Sequence, residues 1–329
     1  MKINTKIIIL ALLINVFCLN ANEAKYESEN LNLYVSYNDE IIPGDAIFVK
    51  MIIQTPKNHK KIKFDNDKKA ELTLSLNNKI IEKSPFYQIN TSKKQNISEL
   101  LSGIPLSSWL ESGNFELKVF IELDEIGKKE FTLPVKFTSK IFNEEIINLD
   151  EKNTSIKTDT SPTRISQINK LNDILSTNIC DDVYSLKSFI SPTTSTRYTS
   201  FFGDRRTYKY TNGKSSTSLH YGNDYGIPDG SEVKACSSGK IVMAENRIST
   251  GFSIVIEHLP GLYSLYYHLS EMNVKEGDFV EQGALIGKSG STGLATGPHL
   301  HWEVRLNGEA VRPEFFFADF AFEKTADNK

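Results

Sequence analysis

The sequence predicts a mainly β protein, with two β domains joined by a linker that contains a helix. Three observations carry that expectation. In the N-terminal part apolar and polar residues alternate, as at Leu72, Leu74 and Leu76 and at Phe115, Leu117, Val119, Ile121 and Leu123, the period-two pattern of strands with one wet face. From about Tyr184 the texture changes to short apolar runs punctuated by glycines, among them Gly222, Gly226, Gly230, Gly239, Gly251 and Gly261, which reads as a second β domain. Between the two lies one apolar stripe of helical period. A length of 329 residues fits about two domains of roughly 100–200 residues each plus connecting chain.

The first 21 residues read as an export signal. Lys2 and Lys6 precede an apolar run from Ile7 to Leu19, and Leu19-Asn20-Ala21 ends in a small residue, so cleavage after Ala21 is expected. The run is shorter than the ~20 residues that span a bilayer as a helix, which weighs against a retained anchor. Acylation of Cys18 is disfavoured by the bulky Phe17 before it.

Residues 22–140 are expected to form a β-sandwich, immunoglobulin-like in outline. Pro43-Gly44-Asp45, Asn77-Asn78 and Ser112-Gly113-Asn114 mark turns, and Phe131, Leu133, Val135 and Phe137 mark a further strand. No catalytic cluster appears there. His59 sits among Lys57, Lys60, Lys61 and Lys63, a solvated loop or edge with no assigned role. Residues 141–185 read as a linker with one helix: Ser161-Pro162 supplies an N-cap and a first-turn proline. Ile165, Ile168, Leu171 and Leu175 then form a stripe that must pack on something. Residues 186–320 form the second β domain and 321–329 a flexible tail.

Composition excludes several classes. With 39% hydrophobic and 24% charged residues, the chain can bury a core and is not a polytopic membrane protein. Lys+Arg 38 against Asp+Glu 41 gives a net charge of −3, no field for gathering nucleic acid. Three cysteines, Cys18, Cys180 and Cys236, make no disulfide scaffold.

The chemistry concentrates in the second β domain. Four of the six histidines, His220, His268, His299 and His301, lie there with Asp224 close to the first, a density that asks for a metal. His299 and His301 are two apart in an alternating segment, so a strand projects both imidazoles from one face. His220 and Asp224 share a face as well, but four extended residues span about 13 Å, so the chain must bend, and Gly222 permits it. Two imidazoles and a carboxylate from His220, Asp224 and His301 suit Zn2+ with a fourth position open for catalysis; copper, nickel and iron also accept imidazole. Cys236 and Ser237-Ser238 show no partner set for a nucleophile.

Residues from about Phe201 to Pro313, a third of the chain, resemble the lysostaphin-like, LytM-type zinc metalloendopeptidases that cut peptidoglycan cross-bridges. Three motifs occur in order: His220-Tyr221-Gly222-Asn223-Asp224, Tyr266-Tyr267-His268-Leu269, and Gly290-Ser291-Thr292-Gly293 through Thr296-Gly297-Pro298-His299-Leu300-His301. Phe202-Gly203-Asp204-Arg205 and the hairpin from Val274 to Gly287 are similar to structural parts of the family. The resemblance implies a LytM-type antiparallel β catalytic domain with one Zn2+ on His220, Asp224 and His301. His268 and His299 would be the non-ligand catalytic residues, their individual roles left open. His258 and Cys236 stay outside the match.

The implied activity is hydrolysis of peptide cross-links of bacterial peptidoglycan by an exported enzyme of the periplasm or cell envelope, stem-peptide links being favoured over glycine bridges. The rival is a non-catalytic LytM-type activator or binding protein for another wall hydrolase. The N-terminal domain is a further candidate surface for a cell-envelope protein partner. If that domain and the linker helix cover the groove, residues 186–329 alone should be at least as active as residues 22–329.

Overall fold

In the computed structural model, residues 18–20, 23–56, 62, 69–92, 96–179 and 181–318 are described. Most of the expected export signal, its cleavage point at Ala21, His59, Cys180 and the tail lie outside them. Cys18–Asn20 forms a short strand on Glu23–Glu27. No helix among the described residues is long and apolar enough to cross a membrane.

Two antiparallel sheets enclose the N-terminal core. One runs in the order Glu23–Glu27, Asn32–Tyr37, Ala46–Gln54, Ile97–Pro105, Tyr87–Ser92; the other runs Gly127–Leu133, Phe115–Leu123, Lys69–Leu76, Lys79–Pro85. The alternation set the strands, and Leu72, Leu74, Leu117, Val119 and Ile121 are all fully buried. Asn77 and Asn78 take φ of 51° and 66°, the two left-handed residues of a type I′ turn, and pair Leu76 with Lys79.

Two expectations fail here. The run Phe131–Phe137 is not one strand: Gly127–Leu133 stops at Pro134, which has no N–H for a ladder, and Lys136–Phe137 pairs in parallel with Glu40–Ile41. The wet face is also missing from Ala46–Gln54, where Ile47, Val49, Met51 and Ile53 face the sandwich core while Ala46 and Phe48 belong to the core of the second domain. Phe48 stacks on Phe315 at 6.3 Å and meets Phe316 edge-on at 6.1 Å. Asp45 takes a bidentate pair of bonds from Arg312 at 2.6 and 2.7 Å, and Asn307 donates to the Gly103 carbonyl at 3.0 Å. The sandwich is thus fastened to the second domain by apolar burial and a charge-assisted fork.

That domain is a strongly branched antiparallel sheet in the order Tyr198–Ser200, Gly222–Tyr225, Leu300–Leu306, Leu262–Met272, Gly251–Leu259, Gly239–Arg247, Phe279–Val280. Trp302, Tyr225 and Tyr266 fill its core. His258 and Cys236 lie in that interior, fully buried: the histidine bonds the Ser264 hydroxyl at 2.7 Å and the Ser238 carbonyl at 2.9 Å, and burial pushes the Cys236 thiol up to about 12.

The stretch 141–185, expected to hold one helix, carries a strand and two. Strand Glu144–Asn148 pairs in parallel with Arg205–Lys209, which continues to Ser215–Leu219. Helix α1, Glu151–Thr158, follows, its N-cap Asp150 accepting from the Asn153 amide at 2.7 Å. An aspartate cap stabilises a helix as short as this one by satisfying an otherwise unpaired amide. Helix α2, Pro162–Ser176, starts at the Ser161 cap. Its packing face is Leu171, Ile174 and Leu175 against Met243, Val255 and Tyr263, whereas Ile165 and Ile168 remain 50% and 39% exposed.

Candidate metal centre and active site

All five sequence-derived site residues converge on one groove of about 730 Å³. Strand pairing does most of this work. His301, on the central strand, faces Asp224 directly across the pairing with Gly222–Tyr225 and Tyr267 across the pairing on its other side. His220 arrives just before Gly222–Tyr225, in the two-residue break that separates it from Ser215–Leu219. Gly222 serves a different purpose from the expected bend: a Cβ there would lie 2.2 Å from the Trp302 carbonyl oxygen, so only glycine lets the two strands close.

His268 depends on a bulge. Phe252 pairs with Leu269 but Ile254 pairs with Tyr266, so one extra residue sits on the Leu262–Met272 strand. His268 takes φ of 62° there, which is uncommon for a non-glycine residue. The bulge turns Tyr267 and His268 to the same side. Tyr267 stacks on His301 at 5.6 Å with 3° between planes, and the His268 ring lies 6.1 Å from His301 and 4.7 Å from His299. No local pattern in the sequence announces this bulge.

At the centre, His301 Nδ1 lies 2.7 Å and His220 Nε2 3.1 Å from Asp224 Oδ1, with 3.0 Å between the two nitrogens. All three residues are buried. Their outer bonds fix which atoms face inward. His220 Nδ1 contacts the Phe201 carbonyl at 2.8 Å, and a carbonyl only accepts, so Nδ1 carries the proton and Nε2 presents a lone pair. His301 Nε2 donates to Glu303 at 2.9 Å, leaving Nδ1 inward. Two imidazole lone pairs and a carboxylate oxygen therefore meet within hydrogen-bond distance, an arrangement that calls for a cation between them.

Burial would lower the His301 pKa, yet the bonds and charges of Asp224 and Glu303 outweigh it and raise it to about 9, so the site demands a positive charge, a proton or a metal ion. Burial likewise opposes ionisation of Asp224, but His220 and His301 hold it well below the usual carboxylate range. The donor set fits zinc: bonds of ~2.0–2.2 Å place tetrahedral ligand atoms roughly 3.3 Å apart, close to the spacings seen. Among the described residues, this is the group that could hold a metal.

The two remaining histidines are oriented in the same way. His268 Nδ1 donates to the Thr292 carbonyl and His299 Nδ1 to the Gly297 carbonyl, both at 2.8 Å. Each ring thus turns Nε2 inward, and His299 Nε2 lies 3.8 Å from Asp224 Oδ1. Burial and the neighbouring imidazoles push His268 down to about 3, so it is neutral at physiological pH.

Sequence reasoning passed over the outer residues. Glu303 accepts from His301 and from Arg305 at 2.7 and 2.8 Å; it stands two residues beyond His301 on the same strand, so the period-two rule that paired His299 with His301 could also have found it. Arg206 and Glu145 gave no such signal, because their place at the groove comes from pairing between distant segments, and Lys157 reaches it from helix α1.

The whole described architecture is similar to that of a putative peptidase M23 from Pseudomonas aeruginosa, with a TM-score of 0.51, 20% identity, and 85% of this chain and 96% of that one covered. That likeness defines the fold. The family follows from the sequence: residues 218–313 match Peptidase family M23, and this part of the chain is an M23 peptidase domain of the lysostaphin-like kind. It is 44% identical over 95 residues to the DD-carboxypeptidase/endopeptidase Mpg of Neisseria meningitidis serogroup B, covering 29% of this chain and 22% of that protein. It is 46% identical over 91 residues to lysostaphin of Staphylococcus staphylolyticus, covering 27% and 19%. The match spans about a fifth of the length of these curated relatives.

Proposed function

We propose that the protein is an exported zinc metalloendopeptidase that hydrolyses peptide cross-links of bacterial peptidoglycan in the periplasm or cell envelope. The observation that carries this reading is the convergence of His220, Asp224 and His301 with His268 and His299 on one groove. Export rests on the charged and apolar pattern of the first 21 residues.

His220, Asp224 and His301 would hold the ion. When bound, zinc supplies a Lewis acid that acidifies water and polarises an amide carbonyl. The chain's own residues do the rest. His268 and His299, each with Nδ1 turned to a backbone carbonyl and Nε2 turned inward, take a proton from water and return it to the leaving amine, a kind of transfer that contributes ~10²–10⁴-fold. Their Nδ1–H bonds to fixed carbonyls hold the rings in the required tautomer, so no reorganisation is needed during the reaction.

The lining of the groove supports the reading of stem-peptide links over glycine bridges. Lys157 lines it, its ammonium 4.2 Å from the centre of the Tyr208 ring and with no carboxylate in ion-pair range among the described residues. A carboxylate-bearing stem peptide uses that charge; a neutral glycine bridge does not. The complete five-residue set counts against the rival reading of a non-catalytic activator.

The test is zinc-loaded residues 22–329 incubated with purified peptidoglycan, the released fragments being read by mass spectrometry. His299→Ala should keep zinc and lose most turnover, while His301→Ala should lose both. Cleavage that persists unchanged in His299→Ala, or intact wall with the unmodified protein, would overturn the proposal.

A further inference from the structure

The strand Glu144–Asn148 lies outside the family match and upstream of the boundary expected for the catalytic domain, yet it reaches the metal centre. Its parallel pairing sets Glu145 opposite Arg206. Glu145 Oε2 accepts from Arg206 Nε at 3.0 Å, and Arg206 Nη2 donates to Asp224 Oδ2 at 2.9 Å. The Arg206 side chain is 11% exposed and that of Asp224 9%, against 38% for Glu145.

The two oxygens of Asp224 therefore have separate duties. Oδ1 faces His220 and His301, and Oδ2 is engaged by Arg206. A guanidinium is a rigid planar fork, so a carboxylate fixed on its Nε edge sets the direction of the N–H aimed at Asp224. Without Arg206 the Asp224 carboxylate is held through Oδ1 alone, and its buried Oδ2 loses its donor.

We propose that Arg206 and Glu145 are positioning residues for the metal ligand Asp224, so that the metal affinity of the site depends on a strand supplied from upstream of the peptidase domain. This rests on the reading of His220, Asp224 and His301 as metal ligands. Outer partners of metal ligands typically govern 10–100-fold in affinity. Arg206, in direct contact with the ligand, falls in that range, and Glu145, acting through it, falls at or below the lower end.

The experiment uses residues 22–329 and measures the zinc dissociation constant by competition with a chromophoric chelator, alongside circular dichroism of the metal-free protein. Arg206→Gln is expected to weaken zinc binding about 10–100-fold. Arg206→Lys should recover only part of the loss, since a point charge cannot hold both carboxylates in a fixed geometry. Glu145→Gln, at a half-exposed position that threatens folding least, should weaken binding by a smaller factor. In the Arg206→Gln background it should add nothing, because its effect runs through the arginine. His301→Ala serves as the control for the ligand reading and should abolish binding.

Unchanged zinc affinity in folded Arg206→Gln, or in Glu145→Gln should Arg206→Gln not fold, would overturn the positioning role while leaving the ligand assignment intact. Independent, additive effects of the two substitutions would refute the relay through Arg206. Zinc binding undiminished in His301→Ala would instead remove the ligand reading, and this proposal with it.

Discussion

Glu303→Gln separates the two tasks of the carboxylate behind His301. The native side chain is 4% exposed and accepts three charge-assisted bonds, from His301 Nε2 at 2.9 Å and from Arg305 at 2.7 and 2.8 Å. Burial opposes its ionisation, but Arg305 and His301 hold its pKa down to about 2, so it is a full anion at neutral pH. Glutamine keeps the shape, loses the charge and turns one acceptor into a donor that faces a cation. Removing one partner of a buried pair costs about 3–5 kcal/mol; glutamine retains one acceptor, and Arg305 keeps the Gly308 carbonyl at 3.3 Å and the face of Tyr221 at 4.4 Å. A loss of about 2–3 kcal/mol in the metal-free protein is therefore expected. His301 loses the anion that orients it, so zinc affinity should fall about 10–100-fold, equivalent to roughly 1.4–2.8 kcal/mol. Urea denaturation of the metal-free protein reads the first quantity and chelator competition the second. A destabilised variant that binds zinc as tightly as the native protein would refute the orienting role and leave Glu303 as an anchor for Arg305 alone.

Two further perturbations test other parts of the structure. Residues 186–329 alone lose Glu145 and Lys157 from the groove wall and uncover the core that Phe48 seals, so this fragment should be less stable by at least ~2–3 kcal/mol and slower than residues 22–329, the reverse of what a removable cover implies; equal or faster cleavage of peptidoglycan by the fragment would restore latency. Glu257 is raised to about 7 by burial and the nearby Asp182, so its contribution to stability is present below pH ~4.5 and lost as pH rises through 7. Glu257→Gln should gain on the native protein by on the order of 2 kcal/mol between pH 4 and pH 8 in thermal or urea unfolding. The buried His258, lowered to about 4 by desolvation, acts with opposite sign, losing stability as pH falls from 6.5, and remains in both proteins; a pH-independent difference between them would refute the assignment to Glu257.

Much of the site was legible in the chain because its information is local. His299 and His301 stand two apart on a strand, so one face carries both, and the histidine density around Asp224 already marked this segment of the chain as one cluster. Local too were the strands of the sandwich at Leu72–Leu74 and Leu117–Leu123, the Asn77-Asn78 turn and the start of α2 at Ser161-Pro162. The α2 stripe was legible only in part. Leu171 and Leu175 pack as its period requires, but Ile165 and Ile168 stay exposed because the N-terminal half of α2 meets the second domain through polar bonds of Arg164 to Ser249 and of Gln167 to Ile248 instead.

The tertiary structure alone decided what depends on the pairing of distant segments. The register between Gly222–Tyr225 and Leu300–Leu306 brings Asp224 to His301 and makes Gly222 a point of close approach. A single extra residue in Leu262–Met272 turns His268 into the groove, and parallel pairing with Arg205–Lys209 sets Glu145 against Arg206, which in turn bonds Asp224. Hydrophobic period fixes which face a residue takes within its own strand. It carries no term for which other strand lies alongside or in what register, since those are set by the joint burial and hydrogen bonding of segments far apart in the chain, such as Glu40–Ile41 with Lys136–Phe137, a property of the assembled sheet rather than of any window of sequence.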